Sequence, residues 1–150
     1  MEIQRVRTEA PVVQLTAAFS APADKVFAAW TDAAALGQWF MAGDGFSTTD
    51  VIVEARPLGR LNLVVNAPDD GGATHIRGHV VEVERDSILR CTWTGTAGDQ
   101  LTLLVLRFAA TADDGCELRL THGVFEADDD REVHEQAWTT NLAALDRFLA

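Results

Sequence analysis

Residues 128–150 constrain the fold more than any other stretch of the chain. Asp128, Asp129 and Asp130 open it, and no Gly or Pro interrupts residues 131–149. Carboxylates in a first turn suit the positive end of a helix dipole, and Asp128 or Asp129 is expected to cap the free N–H groups. Trp138, Leu142, Leu145 and Leu149 recur at spacings of four, three and four, which is one face of an α-helix. At a rise of ~1.5 Å per residue such a helix is about 30 Å long, the width of a small domain. Its apolar face needs a broad partner, and the rest of the chain reads mainly as strands.

Residues 12–19 are the first strand candidate. Ser20 then reads as an N-cap with Pro22 in the first turn of a helix over 22–30, and Thr31-Asp32 restarts the chain as the cap of a second short helix over 33–40. Strands follow from Val51 into Arg56 and over 61–66, 74–84, 88–94, 101–108 and 116–124. Short connections rich in Gly, Pro and Asp join them, which implies an antiparallel meander and not a parallel sheet. The expected class is α+β, in a single domain over 1–150. About seven antiparallel strands curve around one long C-terminal helix, with two short helices after the first strand. An interior gripped this way has room for a ligand.

Composition removes several functions. A net charge of −11 offers no basic patch to nucleic-acid phosphates. No run of eighteen apolar residues exists to span a bilayer, and the first residues lack the apolar core of a signal peptide. Cys91 and Cys116 sit in strand contexts without metal-ligand spacing, as reduced core thiols of a cytoplasmic protein would. His75 and His79 are four apart on a strand, about 13 Å. No metal and no cofactor is expected.

The order of elements resembles the helix-grip superfamily of START and Bet v 1-like domains. Within it, several strings resemble the family related to the C-terminal domain of the activator of Hsp90 ATPase. These are Phe19-Ser20-Ala21-Pro22 with Val26-Phe27, Ala29-Trp30-Thr31-Asp32, Leu36 and Trp39-Phe40, then Arg56-Pro57-Leu58-Gly59-Arg60. Further along come Gly78, Glu82-Val83, Leu89, Thr92-Trp93, Leu118, Leu120-Thr121-His122, and His134 with Trp138, Leu142 and Leu145. Two positions depart from the family pattern. Leu58 stands where the turn usually has the first of two glycines, and Ala137 where a glycine usually precedes the helix Trp. A larger side chain at either point is expected to narrow the cavity. The resemblance implies the fold; relatives include lipid carriers, polyketide cyclases, hormone-binding proteins and Hsp90 co-chaperones, so it implies no single activity.

Alternation along the strands nominates a site. Leu118, Leu120 and His122 share a face, which points His122 inward among apolar groups. Arg77 and His79 share a face with Val81 and Val83, so an unshifted register brings them to the cavity too. Trp93 and Leu104 lie on inward faces of neighbouring strands, and His134 and Asn141 flank Trp138 on the helix. The expected site has walls from Trp93, Leu104, Leu120 and Trp138. His122, His134 and Asn141 orient the ligand, and Arg77 or His79 stands nearby. Each polar member has a structural alternative: a buried histidine is commonly a hydrogen-bonded core group, and Arg77 and His79 fit a solvated strand end equally.

Three readings of function stand side by side. The first is a bacterial-type binding protein for a small apolar or aromatic molecule. The second is a cyclase-like or hydrolase-like enzyme moving a proton through His122 or His134. The third is a protein-interaction module, an Hsp90 partner or a homodimer. Common enzyme signatures such as G-x-S-x-G, the P-loop and H-E-x-x-H are absent from the sequence.

Overall fold

Antiparallel pairing runs through the whole sheet, as the short turns demand. The computed structural model describes residues 1–6 and 10–150. Among them, eight strands form one sheet in the order β1-β2-β8-β7-β6-β5-β4-β3. The strands are β1 (Ile3–Arg5), β2 (Val13–Phe19), β3 (Ser47–Val53), β4 (Arg60–Asn66), β5 (Ala73–Glu84), β6 (Ile88–Trp93), β7 (Thr102–Ala110) and β8 (Cys116–Gly123). The helices are α1 (Ala23–Thr31), α2 (Ala33–Trp39) and α3 (Asp128–Leu149). The architecture is the expected α+β helix-grip. The eighth strand is β1, whose three residues pair with Leu15 to Ala17 of β2 and are too short to show a period. Among the described residues no helix is long and apolar enough to cross a membrane.

Local chemistry sets the helix boundaries. Asp32 caps α2 as expected, its Oδ1 accepting from the N–H groups of Ala34 at 2.9 Å and Ala35 at 3.3 Å. The other two caps differ from expectation. Pro22, not Ser20, occupies the N-cap position of α1, and Ala127 that of α3, both without a side-chain hydrogen bond. Asp128 instead lies inside the first turn and accepts from Arg131 Nε at 2.7 Å. The Arg131 guanidinium also reaches Glu135 at 3.2 Å, and Glu135 takes Arg5 of β1 at 3.1 Å. Ion pairs thus fasten the sheet edge to the start of α3.

The helix stripe does what its spacing requires: Trp138, Leu142 and Leu145 are buried against the sheet. Facing them, Leu15, Leu106, Leu118 and Leu120 are buried from three adjacent strands, and α1 and α2 add Val26, Trp30 and Trp39. Each fully buried residue of this size contributes about 1.5–3 kcal/mol relative to exposure. Gly78 is fixed by crowding, because a Cβ there would lie 1.9 Å from the Thr92 carbonyl oxygen.

Two expectations about the sheet fail for physical reasons. The register of β5 shifts between Val80 and Glu82, and its buried residues are Ile76 and Val80 while Val81 is exposed. Arg77 and His79 therefore stand on the outer, solvated face. Leu58 does not narrow the interior, because its turn holds it at φ 65° with the side chain 80 % exposed. A glycine would adopt that backbone freely.

Candidate functional site

Large side chains fill the space beneath α3. The central void bordered by Trp30, Phe40, Leu63, Cys91, Trp93 and Leu104 has a volume of about 20 Å³, room for no more than a water. Aromatic packing accounts for this. Trp30 meets Trp39 edge-on at 4.7 Å between ring centroids, Phe40 meets Trp138 at 5.8 Å, and Trp93 meets Trp138 at 5.5 Å. Leu104 borders this void and Leu120 is buried in the leucine core, and neither lines the cleft that opens further out.

Free space opens one layer out, between α3 and the segments after α2 and β6. It is a partly open cleft of about 190 Å³. Trp93 and Trp138 are among its lining residues, with Phe40, Phe46, Ile76 and Val133 as apolar walls and Thr96, His134 and Asn141 supplying polar atoms. Ala137 borders the cleft as well, so the second departure from the family pattern does bear on its volume. A wider depression of about 640 Å³ beside α1 is bordered by Asp24, Arg85 and Asp86. Its charged groups come from the first turn of α1 and the turn after β5, with no converging buried polar side chains.

His122 lies behind the two tryptophans, fully buried and outside the cleft. Trp138 Nε1–H donates to its Nδ1 at 2.9 Å, and its Nε2 lies 2.8 Å from Thr102 Oγ1. An indole N–H only donates, so Nδ1 is the acceptor and the proton of the neutral ring sits on Nε2, donated to Thr102. The Thr102 hydroxyl in turn donates to the Trp93 carbonyl at 3.0 Å. Burial, with His134 as a second cause, pushes the His122 pKa down to about 3. Both nitrogens are occupied and the ring stays neutral, so His122 braces the cleft floor from behind.

His134 carries the opposite tautomer. Its Nδ1 lies 2.6 Å from the Asp130 carbonyl, which can only accept, so the proton is on Nδ1 and the Nε2 lone pair faces Thr96 Oγ1 at 2.7 Å. Trp93 Nε1–H donates to the same hydroxyl at 2.8 Å. The two imidazoles lie edge-to-face at 5.2 Å. Asn141 is a clamp: its Oδ1 accepts from the Met41 N–H at 2.9 Å and its Nδ2 lies 3.5 Å from Met41 Sδ. That contact fixes the segment after α2, which forms one lip of the cleft, with Met41 at φ 46°.

Of the residues nominated by sequence, the structure brings together His134, Asn141, Trp93 and Trp138. It sets His122 behind them, leaves Leu104 and Leu120 in the packed interior, and turns Arg77 and His79 outward. Thr96 and Thr102 were missed. Thr102 shares its strand parity with Leu104 and Leu106, which marks an inward hydroxyl; Thr96 lies in a loop and carries no such signal.

Comparison with solved structures gives the same fold repeatedly. A Rhodobacter sphaeroides protein shares 25% identity, covering 99% of this chain and 95% of its own, with a TM-score of 0.82. Protein CV1439 from Chromobacterium violaceum shares 20% identity over 93% of this chain and 96% of its own, with a TM-score of 0.81. CalU16 from Micromonospora echinospora shares 20% identity over 100% and 87%, with a TM-score of 0.72. No curated protein matches. The family model described as activator of Hsp90 ATPase homolog 1-like protein matches residues 20–150. The chain belongs to the activator of Hsp90 ATPase homolog 1-like family.

Proposed function

We propose that the cleft over Trp93 and Trp138 binds a small aromatic or apolar molecule. The observation that carries this reading is an aromatic-walled space of about 190 Å³ with polar atoms from only a few side chains. Engineered apolar cavities of about 150 Å³ take up benzene, so this space suits one aromatic ring or a small fused pair. Phe40, Trp93 and Trp138 present ring faces and edges, and a flat aromatic guest gains from edge-to-face contact with them. Thr96 and Asn141 are the groups that would select a polar substituent.

Titration with indole, followed by calorimetry, tests the reading. Saturable binding is expected for the native chain, and Ala137→Leu, which extends a side chain into the cleft, is expected to abolish it without loss of fold. Absence of binding, or equal binding by the Leu variant, would remove the cleft as the site.

A further inference from the structure

Three hydrogen bonds starting at one end of the cleft run in a directed series. Trp93 Nε1–H donates to Thr96 Oγ1 at 2.8 Å, Thr96 Oγ1–H donates to His134 Nε2 at 2.7 Å, and His134 Nδ1–H donates to the Asp130 carbonyl at 2.6 Å. A hydroxyl bonded to an imidazole whose far nitrogen is held by a third group is the arrangement that activates an oxygen nucleophile. The same pairing at His122 differs in both respects that matter. There Nε2 donates to Thr102 instead of accepting, and the pair is sealed in the core. Thr96 is only half-buried, and Thr96 and His134 both line the cleft.

We propose that Thr96 and His134 form an acyl-transfer dyad that hydrolyses small aryl esters, with Thr96 as nucleophile and His134 as general base. The proposal rests on the reading of the cleft as a site for small aromatic molecules. In the first step Thr96 Oγ1 bonds to the ester carbonyl carbon while its proton passes to His134 Nε2. The bond from that carbon to the aryl oxygen then breaks, releasing a phenolate, and His134 returns its proton to water. In the second step His134 takes a proton from a water molecule, whose oxygen attacks the acyl carbon. The bond to Oγ1 breaks, the proton returns from His134 to Thr96, and a carboxylic acid leaves. The net reaction is ester plus water to acid plus phenol, with no other reactant. Trp93 is a positioning residue, holding Oγ1 by one lone pair and leaving the other for attack.

The test is hydrolysis of p-nitrophenyl acetate by the wild-type chain, Thr96→Val, Thr96→Ser and His134→Gln, with intact-mass analysis and peptide mapping of the acetylated protein. General-base assistance contributes ~10²–10⁴-fold, so Thr96→Val and His134→Gln are each expected to fall by about 100-fold or more. Thr96→Ser keeps the hydroxyl and is expected to retain turnover, which separates chemistry from folding, and the acetyl group is expected on Thr96. Equal rates in all four proteins, or acetylation confined to Lys25 or the N-terminal amine, would overturn the dyad. Indole binding measured on the same samples distinguishes the two readings. Binding without Thr96-dependent turnover removes the dyad alone, whereas absence of both removes the cleft reading as well.

Discussion

Lowering the pH from 7 to 5 is expected to destabilise this protein through His122 in particular. In the native state the ring is fully buried, accepts from Trp138, donates to Thr102, and has a pKa of about 3. In the unfolded chain it titrates at the ordinary value of 6.5. Between those values the unfolded state binds the proton and the native state does not, so stability falls as the pH falls. One pKa unit corresponds to ~1.4 kcal/mol, and pH 5 lies about 1.5 units below the unfolded value, so the loss is about 2 kcal/mol. That is a fall of roughly 4–8 °C in Tm for a chain of this size. The paired carboxylates of Glu54, Asp113 and Asp128 are held below their usual values, chiefly by hydrogen bonds from the Arg60 backbone N–H, the Thr111 hydroxyl and the Arg131 guanidinium respectively. What they contribute fades only near and below the ordinary carboxylate range of about 4. The assay is urea unfolding at pH 7, 6 and 5 for the wild type and His122→Gln. Gln can still accept from Trp138 and donate to Thr102 but does not titrate. The variant is expected to lose the wild-type pH slope over this window. Parallel slopes in the two proteins would refute the assignment of the proton linkage to His122.

Thr102→Val keeps the side-chain shape but strands His122 Nε2–H, and an orphaned buried polar group costs ~1–3 kcal/mol; urea unfolding should report a loss of about 2 kcal/mol, and unchanged stability would contradict the network. Leu58→Gly relieves a left-handed backbone at φ 65° whose side chain is 80 % exposed. Strain of ~1–2 kcal/mol against ~0.4–1 kcal/mol of added unfolded-state entropy predicts a gain between zero and about 1.6 kcal/mol, read as a higher Tm. Both thiols are buried and raised in pKa, Cys91 to about 12. A disulfide reagent at neutral pH is therefore expected to label neither until denaturant is added, and fast native labelling would contradict their burial.

Much of the architecture is legible in the sequence because the governing signals are local. The stripe from Trp138 to Leu145 specifies a one-sided helix, Asp32 announces a cap, and turn residues space the strands. Signals that depend on partners were less readable. The β5 bulge reverses which residues face inward beyond Val80, and strict alternation therefore gave Arg77 and His79 the wrong side of the sheet. Alternation did turn His122 inward correctly, but its hydrogen-bond partners are 16 and 20 residues away, so sequence left its role open. A sheet curved around one long helix suggested a hollow interior, whereas the side chains of Trp30, Trp39, Phe40, Trp93 and Trp138 fill it. Thr96 acquires meaning only from His134, 38 residues later, across a loop whose path no periodicity describes.

The strand order has a consequence for vectorial synthesis. β2 pairs with β8, Val13 opposite His122 and Phe19 opposite Cys116, and Asn141 clamps Met41 across 100 residues. At ribosomal speeds of ~5–20 residues per second, the segment that emerges first waits roughly 5–20 s for its neighbour. Through that interval Val13, Leu15, Ala17 and Phe19 have no β8 to lie against. Nascent chains stalled before residue 116 are thus expected to be sticky, protease-sensitive substrates for holding chaperones, and yield during expression should respond to elongation rate and chaperone supply.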